Sequence, residues 1–421
     1  MFYEENSLKN TEIGEVPNGW SITKFETLCA EIKSGGTPLT SRRDFYNGNI
    51  PFVKIEDISS AKKYLSTTKH FLTEKGLKNS NTWIVPSGSL LVAIYGSLGI
   101  PAINMKEVTT NQAILGIIPN TNVSVEYLYY LFSNMDLKRY AKQTTQANLT
   151  AKIIKNILVP LPPLYEQQKI AEILSNIDAT IQKTDGLITS TKRLKTGLMR
   201  VLLAKGIDHK KFKETELGRL PEEWKVVRLD TLVFSYKNGI YKPSRFNGKG
   251  HQCVRMFNII EGHVNTLNAP LLDVTEQELE DYGLEEGDIL VNRVNTTELV
   301  GKAGVVPEGL GKITFESKNI RIRLNKSVIL PEFFSILSQT KIYSTQILAK
   351  AKTAVAQATI TQEDLNTIIL PLPSISEQQK IIEIITKLNK KLDVERNEYS
   401  TFKRIRQGFM RELLSGKIRV K

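Results

Sequence analysis

From Ile170 onward the apolar side chains keep a fixed rhythm. Ile170, Leu174, Ile177, Ile181, Thr184, Ile188 and Thr191 are separated by steps of 4, 3, 4, 3, 4 and 3. That alternation holds one stripe on one helix face and is the spacing of a coiled-coil seam. The rhythm returns at Ile381, Ile385, Leu388, Leu392, Glu395, Tyr399 and Phe402. Both copies place a polar residue at the same step, Thr184 and Glu395, which fixes register at some cost in stability. "PLP" precedes each run and favours extended backbone, neither run contains proline, and Gly206 and Gly416 stand where a stop belongs. Ser374 and Glu377 stand at capping-box spacing in the second copy. The pattern predicts two helices of about 38 residues, each about 57 Å long. A helix of that length with a single apolar stripe needs a partner seam. Each run is the natural partner of the other, in a parallel or an antiparallel sense. Ile173, Leu187, Leu194 and Val201 on the first helix, and Leu198, Met199, Leu202 and Leu203 with their counterparts Phe409, Met410, Leu413 and Leu414, predict further buried faces, covered either by the chain's own globular blocks or by another subunit.

The helices belong to a larger repeat. Ile157 to Asp178 shares 11 of 22 positions with Ile368 to Asn389 at an offset of 211, including "EQQKI" in both. "KRLKTGLMRVLL" (Lys192 to Leu203) matches "KRIRQGFMRELL" (Lys403 to Leu414) at the same offset. Upstream, "TEIGEVPNGWSITKFETL" from Thr11 pairs with "TELGRLPEEWKVVRLDTL" from Thr215 at an offset of 204, keeping Pro17/Pro221 and Trp20/Trp224. Between these ends the halves diverge. The order is variable block, shared block, variable block, shared block. Segments such as "FVKIEDI" (Phe52 to Ile58) and "CVRMFNI" (Cys253 to Ile259) read as strands within the variable blocks.

Charge narrows the partners. The 421 residues carry a formal net charge of +13 and a pI of about 9.4, which favours a polyanion. Cys29 and Cys253 form neither a disulfide framework nor a metal spacing. "SLLVAIYGSLGIPAI" is the most apolar stretch and is too short and too broken to span a bilayer, and "MFYEENSLKN" lacks the pattern of a signal peptide. The expectation is a cytoplasmic chain with no membrane partner.

Taken together these motifs resemble type I restriction-modification specificity subunits. The resemblance covers the whole chain: "PNGW", "SGGTPLTSRRDFYNGNIPFVKIEDI" (Ser34 to Ile58), "QANLTAKIIKNILVPLP" and the two "P-L-P…E-Q-Q-K-I" helices. It implies an α+β fold of two globular α/β target recognition domains joined by two long helices in an intramolecular antiparallel coiled coil with a pseudo-twofold repeat. The expected boundaries are 1–162 and 207–373 for the recognition domains, and 163–206 and 374–421 for the helices. It also implies a non-catalytic reader of double-stranded DNA whose site is split and asymmetric, with the helices setting the gap. The expected partners are two adenine methyltransferase subunits and, for restriction, motor-nuclease subunits. No cofactor is expected on this chain, and S-adenosylmethionine is expected on the methyltransferase. The second block has "KNGIYKPSRFNGKG" where the first has "GGTP", so different base preferences are expected.

The candidate DNA contacts are Arg42 and Arg43 in a turn-rich loop beside Phe45 and Tyr46, and Lys237, Lys242, Arg245 and Lys249 in a loop interleaved with Tyr241 and Phe246. Lys54 and Arg255, at equivalent places on an expected strand, and Arg293, ahead of the Gly-rich turn at Gly301 and Gly304, join them. Arginine can grip guanine with two hydrogen bonds, whereas lysine more often serves phosphates. Gln146 and Gln357 recur ahead of the helices, either as adenine readers or as helix-start residues. Catalytic motifs are scarce. There is no N-P-P-aromatic or D-P-P-aromatic segment and no G-x-x-x-x-G-K-[ST] loop. "ESK" (Glu316 to Lys318) and "EWK" (Glu223 to Lys225) lack a convincing acidic partner, and His70, His209, His251 and His263 show no metal spacing. Two other readings remain: a self-sufficient DNA-modifying enzyme with an unrecognised site, and a coiled-coil scaffold that does not bind DNA.

Overall fold

The computed structural model describes residues 2–5, 7–96, 98–141, 149–354 and 357–420. The chain divides into two units, Met1–Gly186 with Asn397–Lys421, and Leu187–Arg396. Each unit therefore holds one variable block and one half of each long helix.

In the first unit a five-stranded sheet runs in the order Cys29–Ser34, Ile114–Pro119, Leu90–Ala93, Pro101–Asn104, Tyr64–Leu65. Its strands pair antiparallel except for the last, which is parallel to its neighbour. "LLVA" at Leu90–Ala93 is buried at every position, so a strand covered on both faces is written as an unbroken apolar run. A second sheet joins Thr109–Thr110, Tyr46–Val53 and His70–Leu72. The helix Val125–Asn134, capped by the Ser124 hydroxyl on the Tyr127 amide, adds Tyr127, Leu128 and Phe132 to the core. Trp20, Phe25, Ile170, Leu174, Leu413 and Leu414 complete it, so the long helices are part of the domain core.

The second unit repeats the plan with changed lengths. Its main sheet has six strands in the order Val233–Asn238, Asn319–Leu324, Ile289–Asn292, Ala303–Val305, His263–Val264, Ile259–Ile260. A smaller sheet joins Leu271–Leu272, Asn247–Val254 and Thr314–Phe315. The helix Pro331–Ser338 takes the place of Val125–Asn134, with proline in its first turn. Strand pairs Ser21–Lys24 with Leu158–Leu161, and Lys225–Arg228 with Ile369–Leu372, close each block ahead of its helix.

The long helices span Leu164–Lys205 and Ile375–Ser415, each ended by a glycine with positive φ, +63° at Gly206 and +76° at Gly416. They run antiparallel. In the first unit Asp178 pairs with Arg406, and in the second the Thr191 hydroxyl donates to Glu395 at 3.0 Å. Ile170, Leu174, Ile188, Ile381, Ile385 and Leu392 are buried, while Ile177, Ile181, Leu388, Tyr399 and Phe402 are half-buried. The expected further faces divide. Met199, Leu202 and Leu203 are buried in the second unit's core and Met410, Leu413 and Leu414 in the first unit's, as expected, whereas Leu187, Leu194 and Val201 are 53%, 52% and 48% exposed. Among the described residues no helix is long and apolar enough to cross a membrane.

The repeated phrase at each helix start has a mechanical cause. Glu166 accepts the Trp20 indole N–H at 2.9 Å, and Glu377 accepts that of Trp224 at 2.9 Å. Gln167 accepts the Ser124 amide at 2.9 Å, and Gln378 accepts the Leu330 amide at 2.8 Å; these amides lie at the starts of the equivalent block helices. The same glutamines donate to Pro162 and Pro373 carbonyls. Gln168 and Gln379 are exposed. The capping-box expectation is half correct: the Ser374 hydroxyl accepts the Glu377 amide, but the Glu377 carboxylate turns away to Trp224, His209 and the Ile207 amide.

Candidate nucleic-acid interface

The two loops singled out for their cations are built alike. In the first unit Gly35 packs so tightly that a Cβ there would lie 1.9 Å from the Thr110 carbonyl oxygen. Gly239 stands in the same relation to Glu316, at 2.1 Å. "SGGTP" and "KNGIYKP" therefore enter their loops over one shared glycine crossing, and the divergence begins after it.

The candidate cations differ in how far they are already committed. Arg42 is exposed, bonds Asp44 through two nitrogens at 2.9 and 2.8 Å, and stacks 4.9 Å from the Phe45 ring. Lys75 joins the same carboxylate at 2.7 Å, and these two cations hold the Asp44 carboxyl well below its usual range. Arg43, next to this pair, is exposed. Lys54 is half-buried at the start of the short helix Ile55–Ser60, its amide bonded to Asp57 at 2.8 Å. Arg255 occupies the equivalent position, its amide on Asn258 at 2.9 Å and its guanidinium on Asn247 at 3.0 Å.

In the second unit Lys242 is mostly buried and binds both the Asp273 carbonyl, at 2.7 Å, and Glu278. It acts as an internal clamp on its loop and holds the Glu278 carboxyl below its usual value. Lys249 pairs with Asp273 at 3.0 Å, and Lys237 pairs with Asp281 at 3.2 Å beside the Tyr282 ring. Arg245 is exposed and lies 5.1 Å from the Phe246 ring. Arg293 is half-buried; its backbone bonds Lys318 and Ile360, tying the sheet to the strand Gln357–Thr359. Gln357 opens that strand, while Gln146 lies outside the described residues.

Tyr241, which the sequence placed among the cations of the second loop, is 80% exposed, a flat ring at the surface suited to stacking. Sequence reasoning missed Phe234 and Phe257, at 83% and 59% exposure, because neither lies between the cations of that loop. The Glu316 carboxylate accepts the Met256 amide at 2.9 Å, a structural bond that accounts for the "ESK" glutamate. Cys253 is buried, and burial pushes its thiol up to about 11. Among the described residues no three His, Cys, Asp or Glu side chains gather as a metal site.

Two α/β blocks on one duplicated pair of antiparallel helices, each block displaying a loop of cations and rings, define a duplicated specificity-subunit fold. The family model described as the type I restriction modification DNA specificity domain matches residues 17–192 and again residues 221–404, and the chain belongs to that family. It is 26% identical over 440 residues to the type I restriction enzyme MjaVIII specificity subunit of Methanocaldococcus jannaschii, covering 100% of this chain and 98% of that one. It is 22% identical over 397 residues to the type I restriction enzyme EcoKI specificity subunit of Escherichia coli, covering 89% and 83%. The crystal structure of the type I restriction-modification S subunit from M. genitalium superimposes with a TM-score of 0.55 at 15% identity, over 94% of this chain and 96% of that one. A chain from a structure of type I restriction-modification complex assembly gives 0.56 at 17% identity, over 96% and 99%.

Proposed function

We propose that this chain is the DNA-specificity subunit of a type I restriction-modification complex. Its two blocks each read half of an asymmetric, split site, and the helix pair sets the gap between the halves. The observation that carries this reading is the division of labour within the repeat. Glu166/Glu377 and Gln167/Gln378 hold the same tryptophan and the same block-helix amide in both halves, whereas the loops after Gly35 and Gly239 pair their cations differently, Arg42 and Lys75 with Asp44 in one and Lys242 with Glu278 in the other. A scaffold that meets identical partners twice keeps its contacts, and readers of different half-sites need different donor patterns in the major groove.

The chain itself performs no catalysis in this reading. Two adenine methyltransferase subunits, with their S-adenosylmethionine, supply the chemistry, and motor-nuclease subunits join for restriction. The exposed stripe Leu187, Leu194 and Val201, at seven-residue spacing, supports docking of a partner helix. Mapping methylated adenines across the source genome, with and without the gene, tests the proposal. Loss of one gapped motif is the expected result. An unchanged map, or loss of an ungapped motif, would overturn it.

A further inference from the structure

Each unit has a joint where the turn ahead of a short parallel strand meets the long helices. The strands are Tyr64–Leu65, at the edge of its sheet and parallel to Pro101–Asn104, and His263–Val264, next to the edge strand Ile259–Ile260 and parallel to Ala303–Val305. A hydroxyl from the block helix holds each turn: Tyr129 donates to the Lys62 carbonyl at 2.8 Å, and Ser335 donates to the Gly262 carbonyl. The turns have the same build and opposite charge. The first presents Lys62 and Lys63. Lys63 is buried, donates to the Ser175 hydroxyl at 2.6 Å, and lies 4.7, 5.1 and 5.6 Å from the rings of Tyr130, Tyr64 and Tyr129. The second presents Glu261, which pairs with Arg396 at 2.6 Å.

The helix faces opposite these turns are related by the same offset of 211. Arg406 corresponds to Lys195 and Lys403 to Lys192, with charge kept. Asp178 corresponds to Asn389, and Asp185 to Arg396, so one position loses its charge and the other reverses it. Lys62, Lys63, Asp178 and Asp185 line one cleft of about 760 Å³ in the first unit. Glu261 lies in the field of Arg396, Lys195 and Lys192 in the second.

We propose that the turn and position 185/396 form a charge key that assigns each globular block to its own half of the scaffold. The half bearing Asp185 takes a block whose turn is basic, and the half bearing Arg396 takes a block whose turn is acidic. The proposal stands apart from the DNA reading, since it concerns contacts within each unit. A block placed on the wrong half would bring Lys62 and Lys63 against Arg396 and Lys195, or Glu261 against Asp178 and Asp185. Exposed pairs contribute little each, but Lys63 is buried, and like charge beside a buried ammonium is expensive.

The test uses the full chain and its thermal midpoint at low and high salt. D185R is expected to lower the midpoint by about 2–4 °C at low salt. Adding K62E, which recreates the Glu261–Arg396 arrangement, should restore at least half of the loss, and high salt should shrink both differences. In a second arm, residues 21–161 and 225–372 are exchanged between halves. That chain should melt below the parent and rise when D185R and R396D are added. An unchanged midpoint in D185R, a further fall on adding K62E, or no response of the exchanged chain to D185R and R396D would overturn the key. If the exchanged chain does not fold, the first arm decides.

Discussion

The two helix starts invite direct comparison, because the same glutamate is held in two ways. In the first unit Glu166 is 4% exposed and takes Trp20 together with two nitrogens of Arg419, which also reaches Glu5. In the second unit Glu377 takes Trp224, the Ile207 amide at 2.8 Å and His209 at 3.0 Å. Arg419 and His209 follow Gly416 and Gly206 by the same three residues. The scaffold thus keeps the geometry of the clasp and changes the chemistry of its donor. The forked guanidinium meets the two carboxylate oxygens through separate nitrogens, whereas the imidazole spans both from one nitrogen, at 3.0 and 3.1 Å, and a backbone amide adds a further donor.

The largest effect expected from breaking this comparison is at Glu166. E166A leaves the Trp20 indole N–H without its acceptor and the mostly buried Arg419 guanidinium with Glu5 alone, and should cost about 2–4 kcal/mol in denaturant unfolding. E377A, which leaves the Trp224 indole, the Ile207 amide and the His209 ring without their acceptor, should cost about 1–3 kcal/mol. Equal losses would show that the two clasps are energetically the same. The neighbouring glutamines rank the other way. Gln378 makes three bonds, to the Leu330 amide and the Val328 and Pro373 carbonyls, and Q378A should cost about 2–3 kcal/mol. Gln167 makes two, and Q167A should cost about 1–2 kcal/mol by the same measurement. W20F and W224F remove one indole donor each and should fall within about 1 kcal/mol of one another.

The smallest expected effect lies in the two cation-bearing loops, where each unit holds a carboxylate with cations. Asp44 is held down by Arg42 and Lys75, and Glu278 by Lys242. Both folded values lie below the unfolded ones, so these pairs add order above about pH 4 and lose it as pH falls through the folded values. Carboxyl titration by NMR should place both midpoints below about 3.9 and 4.3, with Asp44 the lower. An ordinary midpoint for Asp44 would mean that Arg42 is not held by that carboxylate.

Much of the fold was legible because the helices write their contacts in a period. The 4–3 rhythm and the stops at Gly206 and Gly416 come from backbone geometry that any helix must obey. The buried face chosen for Leu187, Leu194 and Val201 was not legible. Apolarity marks surface that needs covering, and the sequence does not say whether the cover is the same chain. The candidate cations were visible as residue types, but their commitments were not. Lys242 and Arg245 read alike in "YKPSRF", yet one is clamped inside its loop and the other stands at the surface. Partners such as Glu278 are 36 residues away, and nothing local announces them.

The bonds from Gln167 and Gln378 have one further consequence. Each hydrogen-bonds its block through main-chain amides and carbonyls. An anchor that reads only backbone is indifferent to what the block's sequence becomes. Loops can therefore be rewritten at the far end of the block without loosening its seat. Such a socket lets new specificities arise by drift in the readers while the parts that meet the rest of the machinery stay fixed.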